Sequence, residues 1–251
     1  RVADATLWCG TLWCMYLDNH HDDKVCAWLG DLGRDLPYEE QLHWRSYNIA
    51  PIGGMSKTFV NRQLMCVATD SERPEHVFHQ RYQDLAEACT EKLGWRMLLP
   101  LASEDEHHFQ CLRVPSTDEQ KDFDELVQSL TKLLVDSLNE KELNRLIPAE
   151  QVGDIKGSIS RLEAACKARG VPQFETHIEF LRKLQNLRSA GSAHRKGSNY
   201  QKIAEEFKVD SQSLRSVFAG IMRKSLEALD FLISVARSGA FAPSAAKGTA
   251  P

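Results

Sequence analysis

From Phe123 onward, apolar residues return every three or four positions. Phe123, Val127, Leu130, Leu134 and Leu138 lie along one line of a helix. That spacing requires a long helix with one buried face, so the chain must supply further helices to cover it. The segments that follow supply them. "DIKGSISRLEAACKARG" predicts a second, shorter helix ending at Gly170, and Pro172 opens a third that contains "LRKLQNLRSAGSAHRKGSNY". "NYQKIAEEF" predicts a short connector, with Ser198 and Gln201 at capping spacing. "SQSLRSVFAGIMRKSLEALDFLISVAR" predicts a last long helix carrying Leu214, Phe218, Ile221 and Leu229. Thr117 and Gln120 stand at capping-box spacing before the first helix, and acids crowd its opening turns. Residues 116–236 therefore read as an all-α bundle of about four helices, and residues 237–251, small and Pro-rich, as a disordered tail.

Before residue 115 the pattern differs. Apolar segments at 11–17, 24–30, 62–69, 95–101 and 109–114 have strand composition and polar or Gly/Pro boundaries. Helices are predicted at 38–48, after Pro37, and at 74–94. The second places Val77, Tyr82, Leu85, Cys89 and Leu93 near one face, with Gly94 as the residue after its end. Residues 1–115 read as a mixed α/β region, so the expected class is α+β: an α/β-type region followed by the helical bundle. Asp31, Asp35, Glu39 and Glu40 read as helix-start carboxylates, and "GDLG" lacks the GK[ST] of a phosphate loop.

The 251 residues are 42% hydrophobic and 26% charged, a globular balance, and the net charge of −4 excludes a general polyanion binder. A nucleic-acid surface would have to be local. No apolar run nears the roughly 18 residues of a membrane span and no signal peptide is evident, so a cytoplasmic protein with no membrane partner is expected. The chain starts at Arg1, which suggests further domains or subunits N-terminal to it. Its seven cysteines are scattered and odd in number, as in a reduced protein with buried thiols. Cys9, Cys14, His20 and His21 contain no CxxC pair, and "LWCGTLWCMYL" reads as strand, so no metal and no cofactor is expected.

The third bundle helix holds an anomaly. At 100° per residue from Phe174, Ile178 falls at about 40°, Leu181 at about 340° and Leu184 at about 280°. Arg188 falls at about 320°, within this apolar stripe. Burying a guanidinium without a partner costs several kcal/mol. Arg188 must therefore snorkel past Leu184 into water, pair with an acid on the first helix, or meet an interface or a phosphate. His194 follows six residues later, at about 200° on an ideal helix. Gly191, among Ser189, Ser192 and Ala193, allows a bend that brings the two closer. Between Leu181 and Ala204 every charged residue is basic: Arg182, Lys183, Arg188, Arg195, Lys196 and Lys202. Such a patch suits a phosphate backbone, or a solvated face balanced by the acidic first helix.

Arg188, five intervening residues and His194, late in the third helix of a small four-helix bundle, resemble the R-x4-6-H signature of the HEPN (higher eukaryotes and prokaryotes nucleotide-binding) superfamily. The resemblance covers residues 116–236. Ser189 stands where many members carry Asn, Asp or His. The resemblance implies a metal-independent endoribonuclease acting as a homodimer, with two Arg188/His194 pairs lining one cleft, in bacterial antiviral defence or as a toxin. It equally admits a non-catalytic module for dimerisation or nucleotide binding. On the enzyme reading, Arg188 and His194 are catalytic. Lys183, Arg195, Lys196 and Lys202 position the RNA backbone, and Asn186 and Tyr200 orient the substrate or stack on a base. Residues 1–115 would then sense a trigger or bind a partner.

Overall fold

Among the described residues, those of strand composition form a sheet only at the amino end. Val2–Ala3 (β1), Thr6–Cys9 (β2) and Trp13–Tyr16 (β3) make an antiparallel sheet in the order β1-β2-β3. The β2–β3 register runs from Thr6 opposite Tyr16 to Cys9 opposite Trp13. Gly10 takes a positive φ of 54° in the intervening turn, where a side chain would be strained. The structure, a computed structural model, describes residues 2–3, 5–21, 24–50, 52–191 and 213–242. The chain is α+β and divides into two compact units, Arg1–Val77 and Phe78–Pro251.

In the first unit, Met15, Leu17 and Leu36 form a small core, with Leu7, Trp13, Ala27, Leu32 and Trp44 packed on it. The helices here are α1 (Leu29–Asp35), α2 (Tyr38–Ser46) and a short turn α3 (Lys57–Phe59) that runs into a π-helical turn at Val60–Leu64. Asp18 is the buried polar centre of this unit. Its Oδ2 accepts the Ser56 backbone N–H at 2.7 Å, and its Oδ1 accepts the His20 backbone N–H at 3.2 Å and lies 3.1 Å from His20 Nδ1. Burial pushes the Asp18 carboxyl upward, but these hydrogen bonds from Ser56 and His20 outweigh it and hold the group below the usual carboxylate range.

Helix α4 (Pro74–Lys92) crosses the boundary between the units. It ends as expected: Gly94, with φ of 73°, donates to the Cys89 carbonyl at 3.1 Å. From Phe78 on, its buried residues Phe78, Leu85, Ala88, Cys89 and Leu93 belong to the main core of the second unit. The division expected at residue 115 is a change in composition, and the packing divides at Val77 instead.

The second unit continues with α5 (Glu106–Gln110), α6 (Gln120–Thr131), α7 (Glu140–Asn144), α8 (Ala149–Val152), α9 (Ser158–Ala168), α10 (Glu175–Gly191) and α11 (Leu214–Ser238). Phe123, Val127, Leu130, Leu134 and Leu138 are all buried, as their spacing requires. Two details differ from expectation. Helix α6 begins at Gln120 without the capping box, because Thr117 Oγ1 accepts from Glu119 instead of a first-turn amide of the helix. The first long helix is also broken: a π-helical turn at Lys132–Asp136 ends it, and α7 restarts after Asn139. In the break, Leu99 N–H donates to Ser137 O at 2.7 Å and Asn139 N–H to Met97 O at 2.9 Å.

That contact explains the segment 95–101. Met97 and Leu98 are buried there while Leu99 is exposed, and the segment makes a single bridge, Leu98 to Leu138, and no strand. The segments at 24–30, 62–69 and 109–114 are not strands either. Residue 26 forms an isolated bridge with Asp18, Val60–Leu64 is π-helical, and 109–110 end α5. An apolar run alone does not make a strand, which needs pairing partners. The expected connector at 199–207 and the tail at 243–251 lie outside the described residues.

Helix α10 packs on α6, α9 and α11. Its buried face comprises Phe174, just before it, with Ile178, Phe180, Leu181, Leu184 and Leu187. Leu184→Ala should lower unfolding free energy by about 2–5 kcal/mol in urea titrations, against under about 0.5 kcal/mol for exposed Asn186→Ala. His177, also on α10, stacks on Phe231 at 4.5 Å. Burial lowers its pKa, with Glu227 opposing. The unfolded chain thus binds this proton more readily than the folded one. Stability should be full above about pH 6.5 and decline as pH falls toward the depressed folded value. His177→Phe should flatten that decline between pH 7 and pH 5 in the same titrations.

Candidate functional site

The core fixes where Arg188 stands. Phe180 and Leu187 widen the buried face of α10 beyond the stripe of Ile178, Leu181 and Leu184, and Arg188 follows one turn after Leu184. It lies on the apolar line, but the fully buried residues of α10 end at Leu187, and its side chain is 27% exposed. The acid that meets it is Asp136, the last residue of the π-helical turn closing the first long helix. Arg188 Nη1 donates to Asp136 Oδ2. Asp136 is 40% exposed, so water and salt screen the pair. Among the described residues Asp136 is the acid paired with this guanidinium, and the bond engages one of its five N–H donors. Nε and Nη2 can meet a further acceptor, such as the two oxygens of a phosphate.

The other candidate residues divide into two groups. Asn186 is exposed on α10, and Lys183 pairs with Glu179 at 2.7 Å one turn earlier. Helix geometry turns Asn186 by about 200° and Lys183 by about 140° from Arg188, so neither shares its face. His194, Arg195, Lys196, Tyr200 and Lys202 lie outside the described residues. Helix α10 stays helical through Gly191, so any bend that brings His194 toward Arg188 starts at or after that residue.

The basic run is balanced at its start. Arg182 pairs with Glu163 on α9, Lys183 with Glu179, and Arg188 with Asp136. The acids come from three different elements. Glu163 is held below its usual range by the Lys167 side chain first, against burial, and also by Arg182. Asp136 is the residue that the sequence offers only as an unnamed acid on the first helix. It follows the consecutive buried residues Leu133, Leu134 and Val135. Three buried neighbours in a row break helical periodicity and mark the π-helical turn that turns Asp136 toward α10.

Comparison with known proteins finds no matching family model, no similar curated protein and no similar solved structure. No helix among the described residues is long and apolar enough to cross a membrane.

A screened pair of this kind contributes little to folding. A double-mutant cycle of Arg188→Ala and Asp136→Ala should give a coupling below about 1 kcal/mol in urea titrations. A coupling of about 3 kcal/mol would mark the pair as a buried structural lock.

Proposed function

We propose that the chain is a metal-independent endoribonuclease of the HEPN kind, acting as a homodimer on RNA in the bacterial cytoplasm, in antiviral defence or as a toxin. The observation that carries this reading is Arg188: a half-buried arginine one turn beyond the core, held by one carboxylate, on the helix that leads to His194. Helices α6, α9, α10 and α11 are the four that would make the HEPN-like bundle.

The chemistry needs no cofactor. RNA carries its own nucleophile in the 2′-OH. One His194 takes the 2′-OH proton as the 2′ oxygen forms its bond to phosphorus and the bond to the 5′ oxygen breaks. A second imidazole returns a proton to that 5′ oxygen. Two protomers would supply both histidines in one cleft. Arg188 binds the non-bridging oxygens and stabilises the charge that builds on them. The products are a 2′,3′-cyclic phosphate and a 5′-OH. Asp136 would preset the guanidinium in the free protein and give way to phosphate as substrate enters.

A second reading is favoured by the same ion pair. If Asp136 keeps Arg188 engaged permanently, the bundle is a non-catalytic module for dimerisation or nucleotide binding. Purified full-length chain incubated with single-stranded RNA in excess chelator separates the two. On the enzyme reading, wild type cuts RNA and leaves DNA of the same sequence intact. Arg188→Ala and His194→Ala each lower the rate by about 10²–10⁴-fold with unchanged helical circular dichroism. Equal cutting by the double variant refutes the assignment, and no cutting by a dimeric wild type favours the second reading.

A further inference from the structure

The geometry points to a divalent metal site in the first unit, built from Asp18, His21 and Cys26, with zinc as the cation that fits the donors. An oxygen, a nitrogen and a sulfur from these three side chains all lie within 4.8 Å of one another. No pair of cysteines makes the site, which is why cysteine spacing does not disclose it. Cys26 replaces Cys9 and Cys14 as the thiol partner of His21.

The backbone brings the ligands together. Asp18 N–H donates to Cys26 O at 2.6 Å and Cys26 N–H to Asp18 O at 2.9 Å. This is a hydrogen-bonded antiparallel pair, and it sets the two side chains on the same side. His21 lies three residues after Asp18, and its Nε2 is 3.2 Å from Asp18 Oδ2. Two light-atom ligands on one tetrahedral zinc, each bonded at about 2.0 Å, sit about 3.3 Å apart. The two atoms now form a hydrogen bond, and their spacing lets them become two vertices of a zinc site with little movement.

The carboxylate is held as a metal ligand needs to be. Asp18 is fully buried. The ring of His20, itself buried, lies on Oδ1 through Nδ1, and its Nε2 is 3.0 Å from Ser71 Oγ. Ser71 Oγ in turn is 3.0 Å from His76 Nδ1 and accepts the Arg73 backbone N–H at 3.2 Å. The order Asp18, His20, Ser71 resembles a nucleophile relay, but Ser71 Oγ is shared with a second imidazole and a backbone amide and serves as a tie. Arg73 Nη1 donates to the carbonyls of Asn19 at 2.6 Å and His21 at 3.2 Å, fixing the loop that presents His21. Such outer hydrogen bonds orient ligands and raise metal affinity.

The donor set selects the cation. A thiolate and an imidazole favour zinc over magnesium or calcium, which take oxygen ligands. Three protein donors leave one tetrahedral position for water. Cys26 binds as the thiolate, its proton passing to solvent. The assignment uses neither Arg188 nor His194 and does not rest on the proposed RNA cleavage.

The test uses the full chain and cobalt(II) as probe. Chelator-stripped protein should bind one equivalent of cobalt(II), with the visible absorption of a tetrahedral ion and a near-ultraviolet thiolate-to-cobalt band. Cys26→Ser should abolish the thiolate band, and both Cys26→Ser and His21→Gln should weaken binding by more than about 100-fold, beyond what loss of an outer hydrogen bond costs. Cys14→Ser, at an exposed cysteine, should leave the spectrum unchanged. Zinc content as purified gives a second readout that needs no stripping: near one per wild-type chain and near zero in either ligand variant. Absence of stoichiometric cobalt and zinc in folded wild type, or a spectrum and affinity unaltered by both ligand variants, overturns the assignment.

Discussion

The burial of one face of α10 determines the rest of the second unit. Phe174, Ile178, Phe180, Leu181, Leu184 and Leu187 can leave water only if α6, α9 and α11 close over them. At roughly 1.5–3 kcal/mol per buried large apolar side chain, this face is among the strongest contributions the unit has. It also decides the position of the next residue on the line. Arg188 cannot be buried without a partner, and the fully buried residues of the helix end just before it, at Leu187. Its stem continues the apolar face while its head reaches the exposed edge and Asp136. A packing constraint thus delivers a positive charge to a defined place.

The helical half was legible in the sequence because helices report their buried face locally. The line from Phe123 to Leu138 and the placement of Arg188 on the α10 stripe both follow from a period of 3.6 residues. What the period could not reveal were features set by partners distant in the chain. The π-helical turn before Ser137 and the docking of Met97 and Leu99 there depend on contacts some forty residues apart. The short strand-like runs failed for the same reason. Val67 and Leu64 are exposed and Leu98 is buried, yet all three sit in segments of strand composition. Helix α4 reads correctly as a helix, but its membership of the second unit's core is a tertiary fact that composition does not carry.

The candidate sites show the same division. Arg188 was legible because a charge on an apolar stripe is a local contradiction. Its partner Asp136 was not, because an acid at the end of an acidic helix looks ordinary. The cluster on Asp18 was hidden more fully, since a backbone pair joins Asp18 to Cys26 and Ser56 arrives from thirty-eight residues away. The two units therefore carry different clusters: the Arg188–Asp136 pair in one, and nitrogen, oxygen and sulfur atoms of Asp18, His21 and Cys26 in the other.

The central claim is that Arg188 serves a phosphodiester whose own 2′-OH attacks. The most direct measurement is the chemistry of RNA ends after exposure to the purified full-length chain, read by sequencing that distinguishes terminal phosphates. The account predicts 2′,3′-cyclic phosphate ends paired with 5′-OH ends for wild type, and neither above background for His194→Ala or Arg188→Ala. Ends bearing 5′-phosphate and 3′-OH, or cyclic ends undiminished in both variants, would contradict it.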